Sequence, residues 1–234
     1  MDSRPGPPYG RRMRILAVDG ALARASAAVW ADGRVLARAA VDGARGQPTQ
    51  LPLLARQVLR EAGLEAAALD AVAAVVGPGG FTGLRAALAL AQGLALAIGR
   101  PAIGVTTGEA LAAGLPAARR EGREVWCCID TRRGRLLLER FAPGADAAMA
   151  PPRSLAPEEL PACAMPPLLA GDAVPMALAA LAARGLTAED SGLHLPHAAD
   201  AAVVAALRLA GRLPPLPALP LYVEPPAVRA PPQA

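Results

Sequence analysis

Residues 77–83 read GPGGFTG and link the apolar run at 71–76 to an almost uncharged helical stretch. A glycine loop leading from a strand into a helix is a common place to hold phosphate. The first N–H groups of a helix are unpaired and carry partial positive charge. Two familiar versions of that device fail here. A P-loop needs GxxxxGK[ST], and the chain contains no Lys. The dinucleotide fingerprint needs G-x-G-x-x-G; Gly77, Gly79 and Gly83 are spaced G-x-G-x-x-x-G, and no βαβ unit precedes them. Two readings stay open. Either the N–H groups of residues 79–83 hold an anion, or the glycines, Gly80 among them, only make a tight turn.

Other reactive side chains are few. Asp19 ends the first strand, where many α/β proteins put a catalytic or metal-directed carboxylate, although a lone Asp there also serves as a turn residue. His194 and His197 are the only histidines, and Pro196 between them rules out a helical pair. HExxH and HxxxH are absent, so no metal site is expected. The serines lack a nucleophile-elbow context. Cys127, Cys128 and Cys163 form no CxxC, which fits a reduced, cytoplasmic compartment. Adjacent Cys127 and Cys128 should point to opposite faces of a strand. Asp130 and Arg132 read as turn residues. No complete catalytic constellation results.

Composition narrows the classes further. The 234 residues suffice for one large domain or two small ones, and 53% are apolar. All 24 basic residues are Arg, and Asn is absent, which reads as GC-rich coding bias. The net charge of +4 therefore does not mark a nucleic-acid binder, and aromatics are only 3%. Residues 1–12 carry no apolar secretion segment and read as a disordered lead-in, with Met13 an alternative start. The longest apolar stretch, 86–99, is too short to span a bilayer.

The elements that must position the loop follow from periodicity. Residues 13–19, 25–31 and 35–41 read as three strands, the last two joined at Asp32-Gly33. Residues 43–50 read as a loop, with Thr49 an N-cap for a helix over about 50–62 and Pro52 in its first turn. A strand at 71–76, a helix over 83–98 and a strand at 101–105 follow. Thr106 and Thr107 cap a short helix near 109–113. Residues 116–124 are polar; 125–130 and 135–141 read as strands joined at Arg132-Arg133-Gly134; 142–167 is irregular; 168–170 is a strand; 173–184 and 198–210 are helices. The resulting division is a first lobe over 13–107, a second over 108–192, a C-terminal helix within 193–213 and a polyproline-like tail over 214–234.

The helix after the glycine loop is apolar on two faces. One carries Leu84, Leu88, Ala91, Ala95 and Ile98, another Ala86, Leu90, Gly93 and Ala97; Arg85 and Gln92 share the remainder. A surface helix normally keeps a broad polar face. The second apolar face needs another helix of the same domain or a second protein.

The opening strand MRILAVD, the run GPGGFTGLRAALALAQGLALAIGRPAIGVTTGEAL and the turn Ile129-Asp130-Thr131-Arg132-Arg133-Gly134 resemble the TsaB (YeaZ) family. The segment G-P-G-x-F-T-G-[LV]-R is the specific part, and the order matches over most of 13–225. The resemblance implies an α/β, actin-like ATPase (ASKHA) fold with two βββαβα-type lobes. It implies a non-catalytic dimerisation subunit that pairs with TsaD, together with TsaE, for threonylcarbamoyl transfer to the adenosine beside the anticodon of ANN-decoding tRNAs. Cofactors, ATP and a metal, are then expected on TsaD and TsaE and none on this subunit, and tRNA is met through the complex. The first-lobe helices would pack on TsaD or on a second TsaB. That assigns a partner interface to Leu54, Val58, Phe81, Thr82, Leu84, Arg85, Leu88, Ala91, Gln92 and Ala95. Asp19, Gly77, Gly79, Gly80 and Gly83 become a vestigial nucleotide loop.

Four departures stand out. Asp19-Gly20-Ala21 replaces D-T-S, Gln47-Pro48-Thr49-Gln50 lacks the His often found there, Tyr222-Val223-Glu224 replaces Y-L-R, and Arg135-Leu136 follows Gly134 in place of E-V. The other readings are a small actin-like nucleotide hydrolase or kinase acting alone, and a metallopeptidase, which the missing metal ligands disfavour.

Overall fold

The AVAAVVG run has no polar side chain on either face, and a strand of that kind must be covered on both sides. The computed structural model, which describes residues 13–43 and 47–223, shows how. β1 (Arg14–Asp19) pairs antiparallel with β2 (Arg24–Ala31) and parallel with β4 (Ala71–Gly77). With β3 (Arg34–Asp42) and β5 (Ala102–Thr106) they make a sheet of order β3-β2-β1-β4-β5. Side chains alternate across it. Ile15, Ala17, Ala73 and Val75 face α6 (Ala198–Leu209); Leu16, Val18, Val72 and Ala74 face α1 (Gln47–Glu61) and α2 (Phe81–Ala97). The β2–β3 turn has positive φ at Asp32 (49°) and Gly33 (90°), as a two-residue hairpin requires.

The second lobe repeats this connectivity. β6 (Val125–Asp130), β7 (Leu136–Phe141), β8 (Arg153–Leu155), β9 (Leu168–Ala170) and β10 (Glu189–Asp190) lie in the order β10-β9-β6-β7-β8. Cys128 and Trp126 face α5 (Val174–Ala183), while Cys127 and Ile129 face Leu111 and Ala112 of α3 (Thr107–Gly114). The two cysteines therefore point apart, as strand alternation expects. α3 lies between the lobes, since Ala110 joins the first-sheet core and Leu111 the second. One part is not repeated. Where the first lobe has α1, the second has only a 3-10 turn at Pro157–Glu159.

Several boundaries differ from the sequence reading. α1 begins at Gln47, so 47–50 is helix, Thr49 is not the N-cap and Pro52 lies inside the helix. α2 begins at Phe81, so Phe81, Thr82 and Gly83 form its first turn and only Pro78–Gly80 connects it to β4. A short helix, α4 (Ala117–Arg120), occupies the polar stretch after 115, β8 falls in the segment read as irregular, and β10 falls in a stretch assigned no element. Strands of two or three residues show no period. The Thr106 cap is real, completed by Glu109 in a capping box.

α6 is capped by His197, whose Nδ1 accepts the Ala199 N–H at 3.0 Å. Burial first, then Arg24 and Arg38, pulls its pKa down to about 4. A depressed histidine stabilises the fold above its ordinary range near 6.5 and loses that contribution as pH falls through about 4. At neutral pH, His197→Ala is expected to cost about 1 kcal/mol in urea unfolding, and His197→Asn to keep most of the cap.

The start of the polyproline-like tail is docked. Gly104 N–H donates to Leu216 O at 2.8 Å, and Leu221 N–H to Val76 O at 2.9 Å. Gln92 Nε2 donates to Ala218 O at 2.6 Å, and Ala218 is buried in the core beneath α2. The tail thus runs along the open edge of β5, where its prolines offer no N–H for a further strand. Residues 1–12, read as a lead-in, and 224–234 of the tail lie outside the described residues.

Candidate functional site

The glycine loop is closed by backbone. Gly80 is the N-cap of α2 and has no side chain to cap it; its N–H donates to Ala21 O at 2.7 Å. A Cβ on Gly79 would overlap Ala21 O, and one on Gly83 would overlap Gly20 O. Conversely, a Cβ on Gly20 would sit 2.7 Å from Gly83 O. The glycines are there so that the β1–β2 turn can touch the first turn of α2, backbone to backbone. Two carbonyl oxygens therefore lie against the first turn of α2, Ala21 O on the Gly80 N–H and Gly20 O on Gly83. Pro78 O accepts the Thr107 hydroxyl at 2.6 Å, which ties the loop to α3.

Asp19 is sealed beside it, with 0% exposure. Its Oδ1 accepts the Ala21 N–H at 2.9 Å, while Oδ2 has no partner among the described residues. Burial raises its pKa to about 6, against the Ala21 N–H, Arg24 and Ser26. This carboxylate closes its own turn, out of contact with solvent. Gly77, at φ 111°, is a conformational requirement of the bend.

The two helices that follow present a different surface from the one expected. Leu84, Leu88, Ala91 and Ala95 of α2 and Leu54 and Val58 of α1 are all buried in the first lobe's own core. Their assignment to a partner interface is corrected accordingly: the sheet covers that face. Ala86, Leu90, Leu94 and Ile98 are half-buried and join the same core. Phe81, Thr82, Arg85 and Gln92 are exposed, together with Ala89, Gly93 and Leu96. Leu96 is 84% exposed, and Phe81 and Leu53 59% each. Leu53, Ala89 and Leu96 were missed by sequence reasoning. A stripe drawn at helical period through Arg85 and Gln92 passes through Ala89 and Leu96, so the two polar residues were the signal.

The exposed stripe is partly preorganised. The Arg85 guanidinium lies 3.8 Å from the Phe81 ring centroid, and its Nη2 donates to the Tyr222 hydroxyl at 3.1 Å. An arginine held between two aromatic groups loses little freedom on binding. Beside it, a groove of about 690 Å³ runs between α1 and α2, lined by Pro52, Leu59, Leu64, Leu90 and Leu94 with Arg56 and Arg60 at its rim. Among the described residues, no three His, Cys, Asp or Glu side chains are grouped to hold a metal, and no helix is long and apolar enough to cross a membrane.

A family model described as TsaD, tRNA N6-adenosine threonylcarbamoyltransferase, matches residues 44–153. YeaZ from Pseudomonas aeruginosa, a solved structure, superposes with a TM-score of 0.73 at 29% identity, covering 90% of this chain and 99% of that one. The tRNA threonylcarbamoyladenosine biosynthesis protein TsaB of Escherichia coli (strain K12) is 39% identical over 123 residues, 52% of this chain and 52% of that protein. The chain is similar to TsaB and YeaZ proteins. Its α/β fold, two lobes each built on a five-stranded sheet, is that of YeaZ. The match spans about half the length of the curated TsaB. The tRNA N6-adenosine threonylcarbamoyltransferase of Maricaulis maris (strain MCS10) is 48% identical over a shorter stretch of 62 residues, 26% of this chain and 16% of that protein. The glycine loop and the exposed α1–α2 ridge are the features that bear on function.

Proposed function

We propose that this chain is a non-catalytic, cytoplasmic scaffold subunit that pairs with a TsaD and works with a TsaE in threonylcarbamoyl transfer to the adenosine beside the anticodon of ANN-decoding tRNAs. The observation that carries the reading is the contrast on α2: its N-terminus is closed by the Gly20 and Ala21 carbonyls, while its outer stripe exposes Phe81 and Leu96. The chain's own residues offer a nucleotide little, and offer another protein an apolar ridge, a groove and an anchored arginine. Apolar area of that kind on a helix pair supports a helix-packing partner, TsaD or a second copy of the chain. ATP and a metal are then held by the partners, and tRNA is met through the complex.

Leu96→Glu combined with Leu53→Glu is expected to weaken binding to the same organism's TsaD by about 100-fold, read by calorimetry, because two anchor contacts are lost and two charges enter the contact. Both side chains are exposed, so circular dichroism should show unchanged melting. Undiminished binding would remove the α1–α2 ridge from the interface. Binding of Mg·ATP by the chain alone would instead favour the hydrolase or kinase reading.

A further inference from the structure

Where the lobes meet, several elements place polar side chains in one dry seam. Thr106 ends β5; its Oγ1 accepts the Glu109 N–H at 2.9 Å, and Glu109 Oε2 accepts the Thr106 N–H at 2.8 Å. Glu139 reaches across from β7, with carboxyl oxygens 3.0 and 2.9 Å from Thr106 Oγ1. Arg208 enters from α6, its Nη2 donating to Glu109 Oε1 at 2.7 Å. From β6, the Cys127 thiol donates to Gly108 O at 3.2 Å, and Arg120 of α4 acts on that thiol. The seam is tight: a Cβ on Gly108 would overlap Glu139 Oε2 and lie 2.9 Å from its carboxyl carbon. Glu139 is 4% exposed.

The seam holds two carboxyl groups against one guanidinium committed to Glu109; Arg208 Nε and Nη1 have no partner among the described residues. Thr106 Oγ1 has one proton to give and, after the Glu109 N–H, one acceptor position left, so it can meet a protonated Glu139 both as donor and as acceptor. We propose that Glu139 is a proton-operated latch between the lobes: neutral, it closes the seam through Thr106; ionised, it is repelled by Glu109 and the seam opens.

Burial and then the Glu109 charge push Glu139 up to about 8, against the Thr106 and Gly108 hydrogen bonds and Arg208. For an acid raised in this way, the closed seam holds a proton that the open one releases. Its contribution is complete below the ordinary carboxyl range and is lost as pH rises through about 8.

Amide hydrogen exchange in β7 and α3, corrected for intrinsic rates, tests the latch. The opening constant is expected to rise about tenfold per pH unit from roughly pH 5 to 8 and then level off. In Glu139→Gln, which keeps the shape and stays neutral, it should be flat. The same slope in the variant, or a flat response in the unaltered chain, overturns the proposal. A carboxyl-carbon NMR titration of the unaltered chain needs no variant: one glutamate with a midpoint near 8 supports the latch, and all midpoints in the ordinary range near 4 to 5 would sink it.

Discussion

Gly83→Ala is expected to destabilise the chain by about 3 kcal/mol or more, while Gly93→Ala in the same helix should raise stability by up to about 1 kcal/mol. Both residues are helical glycines in α2, and propensity alone would favour alanine at each. They differ in what a methyl group meets. At Gly93 it meets nothing within 4 Å; at Gly83 it overlaps the Gly20 carbonyl. That oxygen belongs to backbone between β1 and β2, so relief requires the turn and the helix to separate. Separation would also strain the Gly80–Ala21 hydrogen bond and reopen the helix end. Urea unfolding of the two variants decides it. A similar gain in both would mean that the turn is not clamped to α2.

Arg208→Met should cost about 3 to 5 kcal/mol, because it leaves Glu109 buried and charged with no cation. The side chains of the pair are each only 7% exposed, and the contact is 2.7 Å. Adding Glu109→Gln should recover much of the loss, since Gln can still cap Thr106 and no longer carries charge. Two buried donors of Arg208, Nε and Nη1, also disappear in the methionine variant, which lowers the net cost of replacing the whole pair. A double-mutant cycle by urea unfolding gives the coupling. A coupling near zero would show that Arg208 acts by packing alone.

The first lobe was legible because its strands are long and its turns carry Asp-Gly or glycine signals. β1, β2, β3 and β4 lie within a residue or so of the expected bounds. The second lobe was less so: β8 and β10 have three and two residues, too few for alternation to register. α2 shows why a site is harder to read than an element. Its two apolar faces were identified, but periodicity does not tell which one a sheet will claim. Leu84, Leu88, Ala91 and Ala95 went inward because β4 needed a cover, Ala86 and Leu90 of the second face were half-buried with them, and the ridge fell to Phe81, Ala89 and Leu96 along the stripe of Arg85 and Gln92. Glu139 was invisible in the sequence for a related reason. A glutamate in a short strand reads as a solvent-facing residue, and only the approach of α3, between the lobes, and of α6 buries it.

The docked tail has a consequence for synthesis. Leu216, Ala218 and Leu221 cover β5 and the end of β4, and they leave the ribosome after every strand and helix they touch. Until then the β5 edge has no neighbour, and the short Gly104 strand is available to any other nascent chain. Closing that edge is therefore among the last folding events of the first lobe, and a polysome carrying many such chains is the setting in which it is most exposed.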